Sequence, residues 1–186
     1  MQSRVGLIVG SLRAGAHSRV LARALPELTP PSLQLVEIGI GDLPLYNYDL
    51  ETATPPPAWT TFRKAVKSTQ ALLFVTPEFN RGMPGALKNA MDVGSRPWGD
   101  SAWAGKPAGV ISQSPGALGG MAANHQLRQV LMAVNLAAMP YPEAYLPNVA
   151  TLFDASGNLT SAETRKFLQG FMAAFAAWVG RFPAPR

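Results

Sequence analysis

Apolar residues along this chain fall into two alternating kinds of stretch. Short runs, Val5-Gly6-Leu7-Ile8-Val9, Ala71-Leu72-Leu73-Phe74-Val75 and Ala108–Ser112, have the length and continuity of strands buried on both faces. Leu33–Ile38 mixes polar and apolar positions and reads as an edge strand. A fifth strand is expected near Ala138–Tyr141, where two prolines limit its ladder bonds. Between the runs, apolar residues recur at helical spacing: Val20, Leu21, Ala24, Leu25 and Leu28; Trp59, Phe62, Val66 and Thr69; Ala86, Leu87, Ala90 and Met91; Leu127, Val130, Leu131 and Val134. A last helix, about Ser161–Arg181, carries Phe167, Phe171, Phe175 and Trp178, all expected to pack on the sheet. This alternation predicts a three-layer doubly wound α/β fold with right-handed crossovers. Ligands of such sheets sit beyond the carboxyl ends of the strands. Three of those ends carry unusual loops, Gly10–Ser18, Thr76–Gly85 and Gln113–Gly120, which are expected to converge.

The first loop empties a buried strand into a helix start, where unpaired N–H groups and the helix dipole favour an anion. Ser11 and Ser18 add hydroxyls, Arg13 and Arg19 add guanidinium forks, and His17 is a further donor. Neither G-x-G-x-x-G nor a Walker Gly-Lys-Ser/Thr occurs, so a terminal monophosphate suits the turn better than a triphosphate. The competing reading is a plain strand-to-helix turn with solvated arginines. In the second loop, prolines and glycines around Glu78, Phe79 and Asn80 fix a backbone path able to run along the edge of a flat heterocycle. Alternatively, it is a helix-start loop with Glu78 near the dipole and Phe79 filling a gap. The third loop, with Ser114, Gly116, Gly119 and Gly120, would let backbone approach a planar ligand closely, or serve only as a connector.

Composition narrows the chemistry. At 186 residues the chain suits one domain, 1–186, with no internal repeat or linker. Absence of cysteine excludes disulfides, thiol catalysis and zinc–thiolate sites, and two histidines make no convincing metal site. The N-terminal apolar run is too short for a secretory signal, and no segment approaches the ~18 apolar residues of a membrane span, so a cytoplasmic protein is expected. The net charge of +5 invites a nucleic-acid reading, but the basic residues are scattered. Arg63-Lys64-Lys67 and Arg165-Lys166 read as solvated helix faces, and no nucleic-acid or membrane partner is expected. No hydroxyl–His–carboxylate arrangement is legible. A site without its own acid, base or nucleophile leaves the chemistry to a cofactor.

Several ordered motifs carry a resemblance. They are Gly10-Ser11-Leu12-Arg13, Tyr46-Asn47-Tyr48-Asp49-Leu50-Glu51, Thr76-Pro77-Glu78-Phe79-Asn80, Pro84-Gly85-Ala86-Leu87-Lys88-Asn89-Ala90, Ser95-Arg96-Pro97 and Gly105-Lys106-Pro107. Ser114-Pro115-Gly116 through Gly119-Gly120, Gln126-Leu127-Arg128-Gln129-Val130-Leu131 and Pro142-Glu143 continue the series. In these stretches, over about residues 4 to 145, the chain resembles the NAD(P)H-dependent FMN reductase family, which includes quinone, chromate and azo-dye reductases. The resemblance implies a flavodoxin-like fold with a five-stranded parallel sheet in the order 2-1-3-4-5. It implies FMN and NAD(P)H as cofactors, with no catalytic side chain. Ser11, Arg13 and Ser18, with His17, would hold the FMN phosphate. Pro77, Glu78, Phe79 and Asn80 would line the isoalloxazine, largely through backbone groups, and Ser114 and Gly116 would border its other edge.

The family's activity is hydride transfer from a nicotinamide to FMN, then to a small-molecule acceptor such as a quinone, azo compound, chromate or free flavin. Its members are homodimers or homotetramers. This chain departs from the family pattern at Ala16 (usually Ser), Ser18 (usually Asn), Phe79 (usually Tyr) and Val93 (commonly Trp). Two other readings stay open: a flavodoxin-type electron carrier, which would ordinarily be acidic, and a flavin-free module that binds a phosphate ester.

Overall fold

Side chains of the central strands take alternate sides of one sheet, and each side has its own helical cover. A computed structural model describes residues 2–182. Strands β1 (Ser3–Val9), β2 (Leu33–Glu37), β3 (Ala71–Pro77), β4 (Pro107–Gln113) and β5 (Ala137–Ala138) are parallel, in the order β2-β1-β3-β4-β5. A further short strand, β6 (Ala144–Leu146), also pairs with β4. The helices are α1 (His17–Ala24), α2 (Pro57–Lys67), α3 (Gly85–Gly94), α4 (Met121–Ala133) and α5 (Ala162–Val179). Val5, Leu7, Val9, Leu73, Val75 and Ile111 pack with α1 and α5. Ile8, Leu72, Phe74, Ala108 and Val110 pack with α2, α3 and α4. Two cores therefore share a period of two, which is why these strands read as unbroken apolar runs. Close approach is needed on the α5 side, where a Cβ at Gly109 would lie 3.1 Å from the Phe175 ring.

The expected fifth strand at Ala138–Tyr141 is instead two short pieces. β5 stops at Ala138 and pairing with β4 resumes only at Ala144, because Pro140 and Pro142 have no N–H to give to the ladder. The last helix is turned by part of a step from the expected aromatic stripe. Phe171 and Phe175 are buried together with Leu168, Met172 and Val179, whereas Phe167 is exposed and Trp178 lies at the margin. The buried stripe follows the combined apolar spacing, so the aromatics by themselves misplace its centre. Thr69 lies beyond the end of α2, where its buried hydroxyl donates to the Val66 carbonyl.

Arg63 corrects the reading of the basic runs. It is buried, not solvated. Its guanidinium makes a two-pronged pair with Glu51, Nη1 to Oε1 at 2.8 Å and Nη2 to Oε2 at 2.7 Å, and its Nε donates to the Val93 carbonyl. Glu51 lies within the segment Gly41–Pro57, which follows β2 and is pinned as a strap across α2 and α3. Asn89 accepts from the Tyr46 amide and donates to the carbonyls of Leu43 and Pro44, while Trp59 Nε1 donates to Pro44. Val93 is fully buried in the core beside Trp103, so this departure from the family pattern is a matter of core packing.

Candidate functional site

The three loops do converge. At the carboxyl ends of β1, β3 and β4 they enclose a recess of about 190 Å³, lined by Ser11, Arg13, Ala16, His17 and Ser18, by Pro77, Glu78 and Phe79, and by Gln113 and Pro115. That is smaller than the roughly 300–1,000 Å³ of a typical small-molecule pocket. It can hold one end of an elongated ligand, the rest lying across its mouth.

The first loop presents unspent donors. Gly10 still donates to Val75, continuing the sheet, and the chain then leaves β1 toward α1. Ala16, at the N-cap, offers no side-chain acceptor to the helix, unlike Ser161, whose hydroxyl accepts from Thr164 at the start of α5. The amides of Arg19 and Val20 turn back to the Ala16 carbonyl, while no bond within the described residues takes those of His17 and Ser18. An alanine at this position normally costs a helix about 1 kcal/mol relative to serine. Here it leaves the positive end of the dipole facing the recess. The Arg13 side chain is exposed and makes no ion pair among the described residues.

Two buried polar atoms in the recess have no hydrogen-bond partner among the described residues. Ser18 is 0% exposed and Gln113 is 3% exposed, yet neither Ser18 Oγ nor Gln113 Oε1 is satisfied. Such atoms are rare in native interiors because desolvating them without a partner costs about 1–3 kcal/mol. Two in one recess mark the place where a polar ligand fits. A larger cleft of about 500 Å³ on another side of α1 behaves differently. Asp154 there accepts from Ser156 and Asn158, Arg165 donates to Leu159, and none of its lining side chains has a buried unpartnered atom.

In the second loop the side chain of Glu78 serves the fold. Its carboxylate accepts from the amides of Ala122 and Ala123, capping α4 rather than its own following helix α3. Phe79 and Gly82 exchange both backbone hydrogen bonds, at 2.9 Å each, across Asn80 (φ 50°) and Arg81 (φ 66°). Both central residues are left-handed, as in a type I′ turn, a geometry that suits Asn80 and is uncommon for Arg81. Phe79 is 53% exposed at the mouth of the recess.

Asn80, Ser114 and Gly116 lie outside the lining, on the flanking turns. Ser114 Oγ accepts from the Gly116 amide, and Ser114 and Gly116 are also joined by backbone bonds to Leu146, Asn148 and Val149. The glycines of this loop have a packing role that their density in the sequence did not reveal. A Cβ at Gly119 would lie 2.7 Å from the Leu146 nitrogen, and one at Gly120 2.9 Å from the Gln113 carbonyl oxygen. Ala16, Gln113 and Pro115 are the lining residues not picked out as site residues from the sequence, Ala16 having been noted only as a departure from the family pattern. A polar residue closing a buried strand was the available signal at Gln113.

Comparisons with known proteins identify the chain's family and fold. Residues 3–151 match the family described as NADPH-dependent FMN reductase. The chain is 55% identical over 175 residues to a quinone reductase of Pseudomonas putida, covering 94% of each. It is 43% identical over 179 residues to a 2-hydroxy-1,4-benzoquinone reductase of a Burkholderia species, covering 96% of this chain and 97% of the other. Among solved structures, the flavoenzyme NAD(P)H:(acceptor) oxidoreductase of Paracoccus denitrificans superposes with a TM-score of 0.90 at 39% identity, covering 97% of this chain and 98% of that one.

Proposed function

The chain belongs to the NADPH-dependent FMN reductase family, and from that premise we propose that it is an NAD(P)H-dependent FMN oxidoreductase whose acceptor is a quinone. The observation that carries the site is the pair of unpartnered buried atoms, Ser18 Oγ and Gln113 Oε1, beside the uncapped start of α1. The residues fit the phosphorylated end of FMN. Ser11, Ser18 and His17, the free amides at the start of α1, and the Arg13 guanidinium hold the phosphate. Pro77, Glu78, Phe79 and Asn80 run along one edge of the ring, with Ser114 and Gly116 at the other, largely through backbone groups. A recess of this size would admit the phosphate and part of the ribityl chain, and exposed Phe79 and Pro115 at its mouth would be the residues nearest to hold the ring.

When bound, FMN supplies the redox chemistry, accepting hydride from NAD(P)H and passing reducing equivalents to the acceptor. The protein's own part is positioning and electrostatics. Backbone donors of the second and third loops favour negative charge at the ring edge. No side chain of the site serves as acid, base or nucleophile. Quinone is chosen among possible acceptors because the P. putida and Burkholderia relatives carry that activity in their names. The whole chain acts as one FMN-binding domain, in the cytoplasm, as a homodimer or homotetramer. Among the described residues no helix is long and apolar enough to cross a membrane.

Anaerobic addition of NADPH or NADH to the FMN-loaded protein is expected to bleach the flavin, and a benzoquinone to restore its absorbance. A bound flavin indifferent to both nucleotides would turn the reading toward an electron carrier. Failure to quench added FMN fluorescence would remove the flavin altogether.

A further inference from the structure

Along β4 the positions facing α1 and α5 are Gly109, Ile111 and Gln113. The first two lie in the core. Gln113 closes the column with a carboxamide where another apolar residue would satisfy the packing. Its backbone cannot turn away. Gln113 is held in register between Pro77 of β3 and Leu146 of β6, and Gly120 packs directly on its main chain. The side chain is therefore fixed in the floor of the recess, between Ser18 of the first loop and Pro115 of the third.

A carboxamide oxygen only accepts hydrogen bonds. That oxygen has no use for a phosphate dianion, which offers acceptors and no donor; the Nε2 group of the same side chain donates, and can serve either the phosphate or a ribityl oxygen. Ser18 can donate to that phosphate, whereas Gln113 Oε1 requires a ligand O–H or N–H. In FMN the groups next to the phosphate that donate are the hydroxyls of the ribityl chain, which runs from the phosphate to the ring. We infer that Gln113 Oε1 accepts a hydrogen bond from a ribityl hydroxyl, making Gln113 the residue that recognises the polyol segment of the cofactor. The inference rests on the FMN reading of the recess. Two orphaned atoms of one pocket thus take on different tasks, charge recognition at Ser18 and hydroxyl recognition at Gln113.

Three flavins separate these tasks: FMN, riboflavin (no phosphate) and lumiflavin (no ribityl chain). Gln113→Met keeps length and removes the acceptor. Fluorescence titration of the apoprotein should show FMN and riboflavin weakened alike, by about tenfold, with lumiflavin unchanged. The thermal midpoint of the apoprotein should not fall, since an unpartnered buried amide has been removed. A loss confined to FMN would assign Gln113 to the phosphate, and an equal loss for lumiflavin would assign it to the ring; either overturns the inference. A lowered midpoint would mean that the fold itself uses the carboxamide, and unchanged affinities would mean that no ligand does. Gln113→Glu keeps an acceptor and adds charge beside the phosphate. It should hold riboflavin within about threefold while weakening FMN, and loss of riboflavin by both variants would also overturn the assignment. A wild-type chain that binds none of the three flavins would sink the FMN reading itself. Binding of all three with an indifferent Gln113→Met would sink only the role of Gln113.

Discussion

The strap of residues 41–57 and the recess beneath α1 are both built from polar residues at the margin of the same sheet. In the strap, the buried groups are matched within the chain: Asn89 to three backbone groups, Trp59 to Pro44, and Arg63 to both Glu51 oxygens and the Val93 carbonyl. The Tyr46 hydroxyl is the exception. In the recess, Ser18 and Gln113 are buried without partners, the Arg13 side chain has no counter-ion among the described residues, and α1 starts without a side-chain cap. Matched polar groups staple a fold, because separating them strands a buried charge or donor. Unmatched ones cost stability and persist where a ligand compensates them, as in the usual exchange of stability for function at binding sites.

The sharpest break of this contrast is expected at the ion pair. Glu51→Ala leaves the Arg63 guanidinium buried without its counter-charge and should cost about 3 kcal/mol or more of unfolding free energy in denaturant titrations. The ratio of FMN to riboflavin affinity should not change. Arg13→Ala should do the opposite, weakening FMN by about thirtyfold, near 2 kcal/mol, while riboflavin binding and apoprotein stability stay put. Equal losses for both flavins would take Arg13 off the phosphate. Ser18→Ala tests the stability exchange at one atom. The apoprotein should gain about 1 kcal/mol, a rise in Tm of about 2–4 °C, as FMN affinity drops about fivefold. Destabilisation of the apoprotein would show that the hydroxyl has a use within the chain, and the contrast with the strap would fail.

The smallest effect concerns Lys106, far from the recess at the start of β4. Burial, with the nearby Lys67 charge adding to it, lowers its amine from 10.5 to about 8. Its Nζ donates to the Val66 carbonyl at the end of α2. Below about 8 the ammonium is present in folded and unfolded chains alike, and the fold carries the full cost of burying it. Between about 8 and 10.5 only the unfolded chain binds that proton, so stability should rise with pH across this window. Because the amine is only half-buried and partly screened, the rise should stay under about 1 kcal/mol. Urea titrations of wild type and Lys106→Met across the window should differ in slope by this contribution.

The three site loops were legible in the chain because each combines turn residues with a strand end, a local pattern independent of the rest of the fold. Arg63 was not, since a guanidinium inside a basic run looks solvated until Glu51, twelve positions earlier, is folded onto it. Gln113 is illegible in the sequence for a related reason. A glutamine at the end of a strand is unremarkable until its side, burial and lack of a partner are known. Glu78 belongs to the same group: its carboxylate caps α4, reached only when β3 and β4 bring their following segments together.

Periodicity and turn chemistry, which act over a few residues, determined by themselves the succession of strands and helices and the loops that carry the site. Strand order was given by family resemblance and borne out by the parallel pairing. Tertiary structure alone decided which polar residues neutralise one another and which two in the recess are left without a partner among the described residues. That decision depends on distances between segments far apart in the chain, and no local pattern encodes them.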